Sequence, residues 1–126
     1  MRECHRVLKA GGSLAGYTIH APPGLSEQDL DRANELGPSF LCGWEDSATE
    51  AERAGFGVVK TLDVTARFRE SGLAWLAGLE DREEVLREEL GDEDYEHEVE
   101  RKGSIVEGID AGLLRRSLCV FERGRT

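Results

Sequence analysis

The sequence lacks a basic excess, a long apolar run and closely spaced cysteines, and each absence excludes a class of protein. With 26 Asp and Glu against 16 Lys and Arg, the net charge is −10. An acidic surface repels phosphate groups, which argues against nucleic acid and membrane surfaces as partners. No apolar run approaches the roughly 18 residues that cross a bilayer, and the first residues lack the layout of a signal peptide. The sequence therefore predicts a cytoplasmic protein.

Cysteine and histidine are also too sparse for a disulfide framework or a metal centre. The three cysteines lie far apart, at positions 4, 42 and 119, and the three histidines, at 5, 20 and 97, share no ligand spacing. We expect reduced, mostly buried thiols and no metal. His5 and His97 each stand among charged residues, which predicts exposed side chains.

Hydrophobic patterning divides the chain into helices and strands. A run that is apolar nearly throughout, between Gly-Gly and Pro-Pro, predicts a strand buried on both faces, and β-branched or apolar runs predict two more. The predicted elements, in order, are the end of a helix over Arg2–Lys9, a strand over Ser13–Ile19, helices over Leu25–Leu36 and Glu45–Ala54, a strand over Val58–Thr65, two long helices, and a strand over Arg115–Glu122.

The two long helices predict a helical hairpin. Each carries one apolar stripe, the first over Trp75, Leu79, Leu86 and Leu90 within Phe68–Leu90, the second over Tyr95, Val99, Val106 and Leu113. Gly91 ends the first helix, while Gly103 and Gly108 weaken the second. The hairpin includes twelve Asp or Glu between Glu80 and Glu100. This acidic run predicts a solvated helix face, with a docking face for a cationic partner or substrate as the alternative.

Three segments resemble class I S-adenosylmethionine-dependent methyltransferases, in the order of that family. Residues 3–14, ECHRVLKAGGSL, resemble its E-x-x-R-V-L-K-P-G-G-x-L segment, with Ala10 in place of proline. Residues 51–59, AERAGFGVV, resemble its L-x-x-A-G-F-x-x-V junction from the last helix into the sixth strand. Residues 116–122, RSLCVFE, resemble its closing seventh strand. The resemblance covers essentially the whole chain.

The resemblance implies an α/β fold, the C-terminal half of a Rossmann-like sheet. Its three strands would place the strand near Val120 in the centre, antiparallel to the strands near Leu14 and Leu62. One partial domain over 1–126 is expected: a strand-helix-strand part over 1–67, the hairpin insertion over 68–114, and the closing strand and tail over 115–126. The insertion is longer than the simplest family members carry.

The cofactor motifs of that family are missing. Its glycine-rich turn after the first strand and the acidic residue that holds the ribose have no counterpart, since Gly11-Gly12 follows a helix and so does Gly55-Phe56-Gly57. The chain therefore looks like a fragment of an enzyme that uses S-adenosylmethionine. We expect it to bind no cofactor alone and to be inactive alone, with a missing N-terminal half as a possible partner.

The candidate substrate-binding residues are Tyr17, Thr18 and His20, because ligands bind beyond the carboxyl ends of parallel strands. His20 suits a general base or a hydrogen-bonding group, and an inert solvated loop residue is the alternative. No catalytic residue is identified. Trp44, Phe68 and Trp75 either line a lid over the substrate or anchor helices to the sheet.

Two functions follow. The first is transfer of a methyl group to a small-molecule acceptor, with this chain supplying half of the enzyme. The second is a non-catalytic, self-associating α/β interaction module. The open first strand, Leu14–Ile19, and the adjacent helix over Arg6–Leu8 predict that the chain forms a homodimer or aggregates.

Overall fold

The computed structural model of the chain describes residues 1–38 and 47–125, except for the side chains of residues 58 and 59. Within these ranges lie six helices, α1 (Arg2–Val7), α2 (Glu27–Leu36), α3 (Ser47–Arg53), α4 (Thr65–Asp81), α5 (Glu83–Leu90) and α6 (Asp92–Asp110), and three strands, β1 (Ser13–His20), β2 (Phe56–Asp63) and β3 (Arg115–Arg123). None of the helices in these ranges is long and apolar enough to cross a bilayer.

The three strands form one sheet in the order β1-β3-β2. β3 is antiparallel to both neighbours, with Leu14 of β1 opposite Phe121 and Leu62 of β2 opposite Leu118. The predicted α/β class and the central antiparallel strand are confirmed. β1 and β2 are therefore the two edges of the sheet.

A glycine turn connects α1 to β1 and aligns β1 with β3. Gly11 has φ +75°, a conformation that favours glycine over any residue with a Cβ. Its N–H donates to the carbonyl of Arg123 at 2.9 Å, and the N–H of Arg123 donates to the carbonyl of Gly12 at 2.9 Å. The guanidinium of Arg123 also donates to the carbonyls of His5 and Leu8, placing a cation at the C-terminus of α1.

One face of the sheet packs against α1 and α3. The buried side chains here are Ala51, Phe56, Cys119 and Phe121, with Cys4, Leu8, Leu14 and Ala54 partly buried around them. Cys42 lies outside the described residues. This cluster attaches both short helices to the same side of β1 and β3.

A second core holds α2 against the end of α6. Its buried members are Ala21, Ala33, Leu113 and Leu114. The hydroxyl of Ser26 accepts from the N–H of Asp29 at 3.1 Å, so the predicted N-cap of α2 is confirmed. The prediction that Leu113 belongs to the apolar stripe of the second helix is wrong, because α6 ends at Asp110 and Gly112 turns the chain with φ +74°. Leu113 packs against α2 instead.

The predicted continuous helix over Phe68–Leu90 is wrong: the chain breaks at Arg82 into α4 and α5. Carboxylates crowd this point at 80, 81, 83 and 84, and like charges close together on a helix are unfavourable. The break also lets α5 fold back onto α6, where Arg87 bonds to Asp92 at 3.0 Å and pairs with Glu96 at 3.4 Å.

Candidate functional site

Strand geometry separates the three predicted site residues. Successive side chains on a strand point to opposite faces, so Thr18 and His20 lie on the face that packs against α3, and Tyr17 lies on the other. Tyr17 is 65% exposed. The structure therefore brings together Thr18 and His20, and it places Tyr17 in a different environment.

His20 is held by two hydrogen bonds at the carboxyl end of β1. Its Nδ1 lies 3.2 Å from the carbonyl oxygen of Ala21, and its Nε2 lies 2.9 Å from Oγ of Ser117. A carbonyl only accepts, so the Nδ1 carries the proton in the neutral ring. The Nε2 is then the acceptor, and the hydroxyl of Ser117 donates to it. His20 thus presents a basic nitrogen in a fixed orientation.

Further hydroxyl groups lie on the same face of the sheet as His20. Thr18 lies directly opposite Ser117 in the ladder between β1 and β3. The Oγ1 of Thr18 accepts from the hydroxyl of Ser47, at the start of α3, at 3.3 Å. Thr18, His20, Ser47 and Ser117 therefore form a polar cluster that joins β1, β3 and α3. Its donors and acceptors suit a small polar molecule better than an apolar chain.

Asp63 lies at the edge of this cluster, where β2 ends opposite Ser117. Its carboxylate accepts from the hydroxyl of Thr65 at 2.5 Å and from the N–H of Thr65 at 2.9 Å. These bonds lower the pKa of Asp63, the side-chain bond most, and the charge of Arg115 adds to the effect. The carboxylate is therefore a fixed negative charge next to the polar cluster.

Tyr17 belongs to an aromatic and cationic stack on the opposite face. The guanidinium of Arg116 lies 4.6 Å from the centroid of Tyr17 and 4.8 Å from that of Phe68 in α4. The guanidinium thus lies against two aromatic rings, and each ring attracts it through a cation–π interaction. The Nε of Arg116 is buried without a hydrogen-bond partner. The stack connects β1 to the first turn of α4, and Phe68 is therefore an anchor.

The other two histidines behave differently from each other. The prediction of an exposed His5 is wrong, because its ring packs edge-on against Phe56 with centroids 5.0 Å apart. His97 is exposed, as predicted. Neither residue lies in the polar cluster.

The residues of this chain do not fit S-adenosylmethionine at a glycine-rich turn. The sole G-x-G sequence, Gly55-Phe56-Gly57, comes after α3 and leads into β2. Gly55 has φ +99°, and a Cβ placed there would lie 3.1 Å from Nε2 of His5. This turn is filled by the packing of α1 against the sheet, so it offers no cradle for the amino-acid portion of the cofactor.

Sequence reasoning missed Ser47, Ser117 and Arg116 as neighbours of the candidate residues. Ser117 and Arg116 were recognised only as part of the closing strand. Their contacts with β1 depend on the register of an antiparallel pair whose strands are about a hundred residues apart in the chain, as the 97-residue separation of His20 and Ser117 shows. No local signal in either strand encodes that register.

The fold matches solved methyltransferase structures over nearly the whole chain. A proposed sarcosine dimethylglycine methyltransferase of Galdieria sulphuraria superposes with a TM-score of 0.84 at 17% identity, covering 99% of this chain and 46% of that one. The mycolic acid cyclopropane synthase CmaA1 gives 0.80 at 18% identity, covering 97% and 50%. A phosphoethanolamine N-methyltransferase of Haemonchus contortus, solved with phosphomonomethylethanolamine and S-adenosylhomocysteine, gives 0.79 at 20% identity, covering 98% and 29%.

No protein-family model matches the sequence, and no curated protein sequence matches it significantly. The likeness of this chain to methyltransferases is therefore one of structure. This chain spans half or less of the length of these three solved proteins, and over that part it has the fold of the C-terminal half of a methyltransferase.

Proposed function

We propose that this chain forms the acceptor-binding part of a methyltransferase that acts on a small polar molecule. The residues that bind S-adenosylmethionine would be supplied from outside this sequence. The observation that carries the proposal is the structural match to a methyltransferase, which covers 99% of this chain and 46% of the other. The matched part contains no glycine-rich turn after a strand.

The open side of the sheet supports this proposal. On the face away from α1 and α3, Tyr17 is 65% exposed and Leu62 is 41% exposed, with Ile19, Leu118 and Val120 half-buried. The outer edge of β1 has no partner strand among the described residues. Apolar side chains next to an open edge favour a covering segment that also adds a strand. A cofactor-binding half joined at β1 would supply both.

Within such an assembly the polar cluster would hold the methyl acceptor. The Nε2 of His20 is an acceptor whose present partner is a neutral hydroxyl, so a substrate hydroxyl or ammonium group can replace Ser117 there. His20 would then orient the acceptor atom and take up its proton, while Thr18 and Ser47 hydrogen-bond the rest of the molecule. Holding the acceptor in place accounts for much of the rate of a transfer reaction.

The test uses the polypeptide encoded immediately upstream of this chain, co-expressed with it. We expect the pair to bind S-adenosylmethionine and to methylate a panel of small amines and alcohols. Replacing His20 with alanine should lower kcat/KM by about 10²-fold while leaving cofactor affinity unchanged, because in the proposed assembly the ring binds the acceptor and not the cofactor.

His97→Ala is the matched control, since His97 is exposed and outside the cluster. Equal activity of the His20 and His97 variants would show that His20 is not part of the acceptor site. Failure of any upstream product to confer cofactor binding would count against the proposal as a whole.

The second candidate is a self-associating module that uses the same open edge. Val7 on α1 and Tyr17 on β1 are each 65% exposed, and β1 has an unpaired edge among the described residues. Pairing two β1 strands would bury such side chains, each worth up to about 1.5–3 kcal/mol when fully covered. This observation favours a homodimer over a monomer for the chain in isolation.

Sedimentation of wild type and of Tyr17→Lys distinguishes the two states. We expect a dimer for the wild type and a shift toward monomer for the variant, because a charge would be buried in the interface. Leu14→Lys is unsuitable, since Leu14 packs against the core of Phe56 and Phe121. Val85→Lys, a change at a half-exposed residue of α5, should leave the dimer intact. A wild-type monomer at all concentrations would refute self-association.

A further inference from the structure

An apolar groove lies where α4, α5 and α6 meet. Its volume is about 520 Å³, and it is lined by Trp75, Gly78, Leu79, Leu86, Leu90 and Glu98. The four large apolar residues of this set are the stripe recognised in the sequence, brought around one opening by the break at Arg82. Trp75 remains 56% exposed and Leu90 44% exposed. The groove is thus an apolar surface that the chain itself leaves partly uncovered.

Trp75 already attracts a cation. The Nζ of Lys102 in α6 lies 4.3 Å from the centroid of its ring. A tryptophan face draws positive charge through its quadrupole, and more than half of this side chain is still open to solvent. The groove therefore combines an apolar floor with a ring that favours cationic neighbours.

Negative charge is concentrated around this groove. Residues 65–110 contain fifteen Asp or Glu and six Lys or Arg, a net charge of −9 out of −10 for the whole chain. On α5, the groove residues Leu86 and Leu90 alternate with carboxylates at 83, 84, 88 and 89. Several of the arginines already bond within the hairpin, as Arg69 does to Asp110 and Arg87 to Glu83. A cationic partner would meet a strongly attractive field.

We propose that this groove binds a cationic amphipathic helix of another protein. The partner's apolar side chains, spaced three or four residues apart, would enter between Trp75 and Leu90, and its lysines or arginines would face the surrounding carboxylates. The hairpin of a second copy of this chain does not suit the groove, because two regions of charge −9 would repel each other. The inference is independent of the methyltransferase proposal, since the groove shares no residue with the polar cluster.

The test measures binding of a designed helical peptide made of leucine and lysine, with leucines at the spacing of one helix face. Fluorescence anisotropy of the labelled peptide against the full chain should show saturable binding that weakens as salt is added. A peptide with glutamate in place of lysine should not bind. Leu90→Lys should weaken binding by about tenfold or more, because it places a charge in the apolar floor.

Val85→Lys is the matched control. It adds the same charge to the same helix at a residue of similar exposure, 50%, that does not line the groove. We expect it to change affinity by a few-fold at most, and circular dichroism should show both variants folded. An equal loss of peptide affinity in the two variants would mean that general charge attraction explains the binding, and it would overturn the proposal that the groove is the binding site. Binding of the glutamate peptide, or self-association that Leu90→Lys abolishes, would also overturn the proposal.

Discussion

The isolated chain is expected to show no heat of binding with S-adenosylmethionine at micromolar concentrations and no methyl transfer to any acceptor. Cofactor recognition in this fold requires close approach of backbone amides at a glycine-rich turn. Here the one G-x-G sequence is part of a helix-to-strand junction, and a Cβ placed at Gly55 would lie 3.1 Å from Nε2 of His5. Without those amides the cofactor loses most of its polar contacts. The expected effect is therefore all or none.

A complete class I methyltransferase, titrated under the same conditions, is the positive control for this experiment. S-adenosylhomocysteine should give the same negative result with the isolated chain. Stoichiometric binding of either compound would contradict the reading of Gly55-Phe56-Gly57 as a structural turn, and it would show that the cofactor site lies within these residues.

Gly108→Ala is expected to destabilise the protein by about 1–3 kcal/mol, a large share of the stability of a small domain. A Cβ at this position would lie 2.5 Å from Cδ1 and 2.9 Å from Cγ of Leu114. Leu114 is only 1% exposed and sits in the core that holds α2, so it has little room to move. The urea midpoint of unfolding should fall with an unchanged slope.

Gly103→Ala in the same helix is the control, because nothing lies within 4 Å of a Cβ placed there. Alanine has the higher helix propensity, so this variant should gain about 0.5–1 kcal/mol. Both glycines weaken the helix by propensity alone, and only the tertiary contact separates them. If Gly108→Ala instead stabilises the protein, the side chain of Leu114 must be able to move away from the added methyl group. The close contact would then not require glycine at this position of α6.

Some features of the candidate site were available from the sequence by simple periodicity. Tyr17, Thr18 and His20 were grouped because they end one strand, although a period of two already assigns Tyr17 to the opposite face. The structure does place Tyr17 with Arg116 and Phe68, away from the polar cluster. The partner of His20 could not be found in this way, since Ser117 is specified by strand register.

Local signals by themselves determined where several elements begin and end. Ser26 caps α2 with its own side chain, Gly11 turns the chain into β1 and Gly91 ends α5, because each effect involves only neighbouring residues. The family-like order of segments also predicted the central antiparallel strand. These are properties of short stretches of chain or of their order, and a sequence contains both directly.

Tertiary structure alone decided which side chains meet. The break at Arg82 has no glycine or proline to mark it; after it, α5 folds back against α6, where Arg87 reaches Asp92 and Glu96. The same fold-back turns a linear stripe into a groove, and the register of β1 with β3 brings Ser117 to His20. Each of these outcomes depends on the free energy of contacts between distant segments, which no local pattern contains.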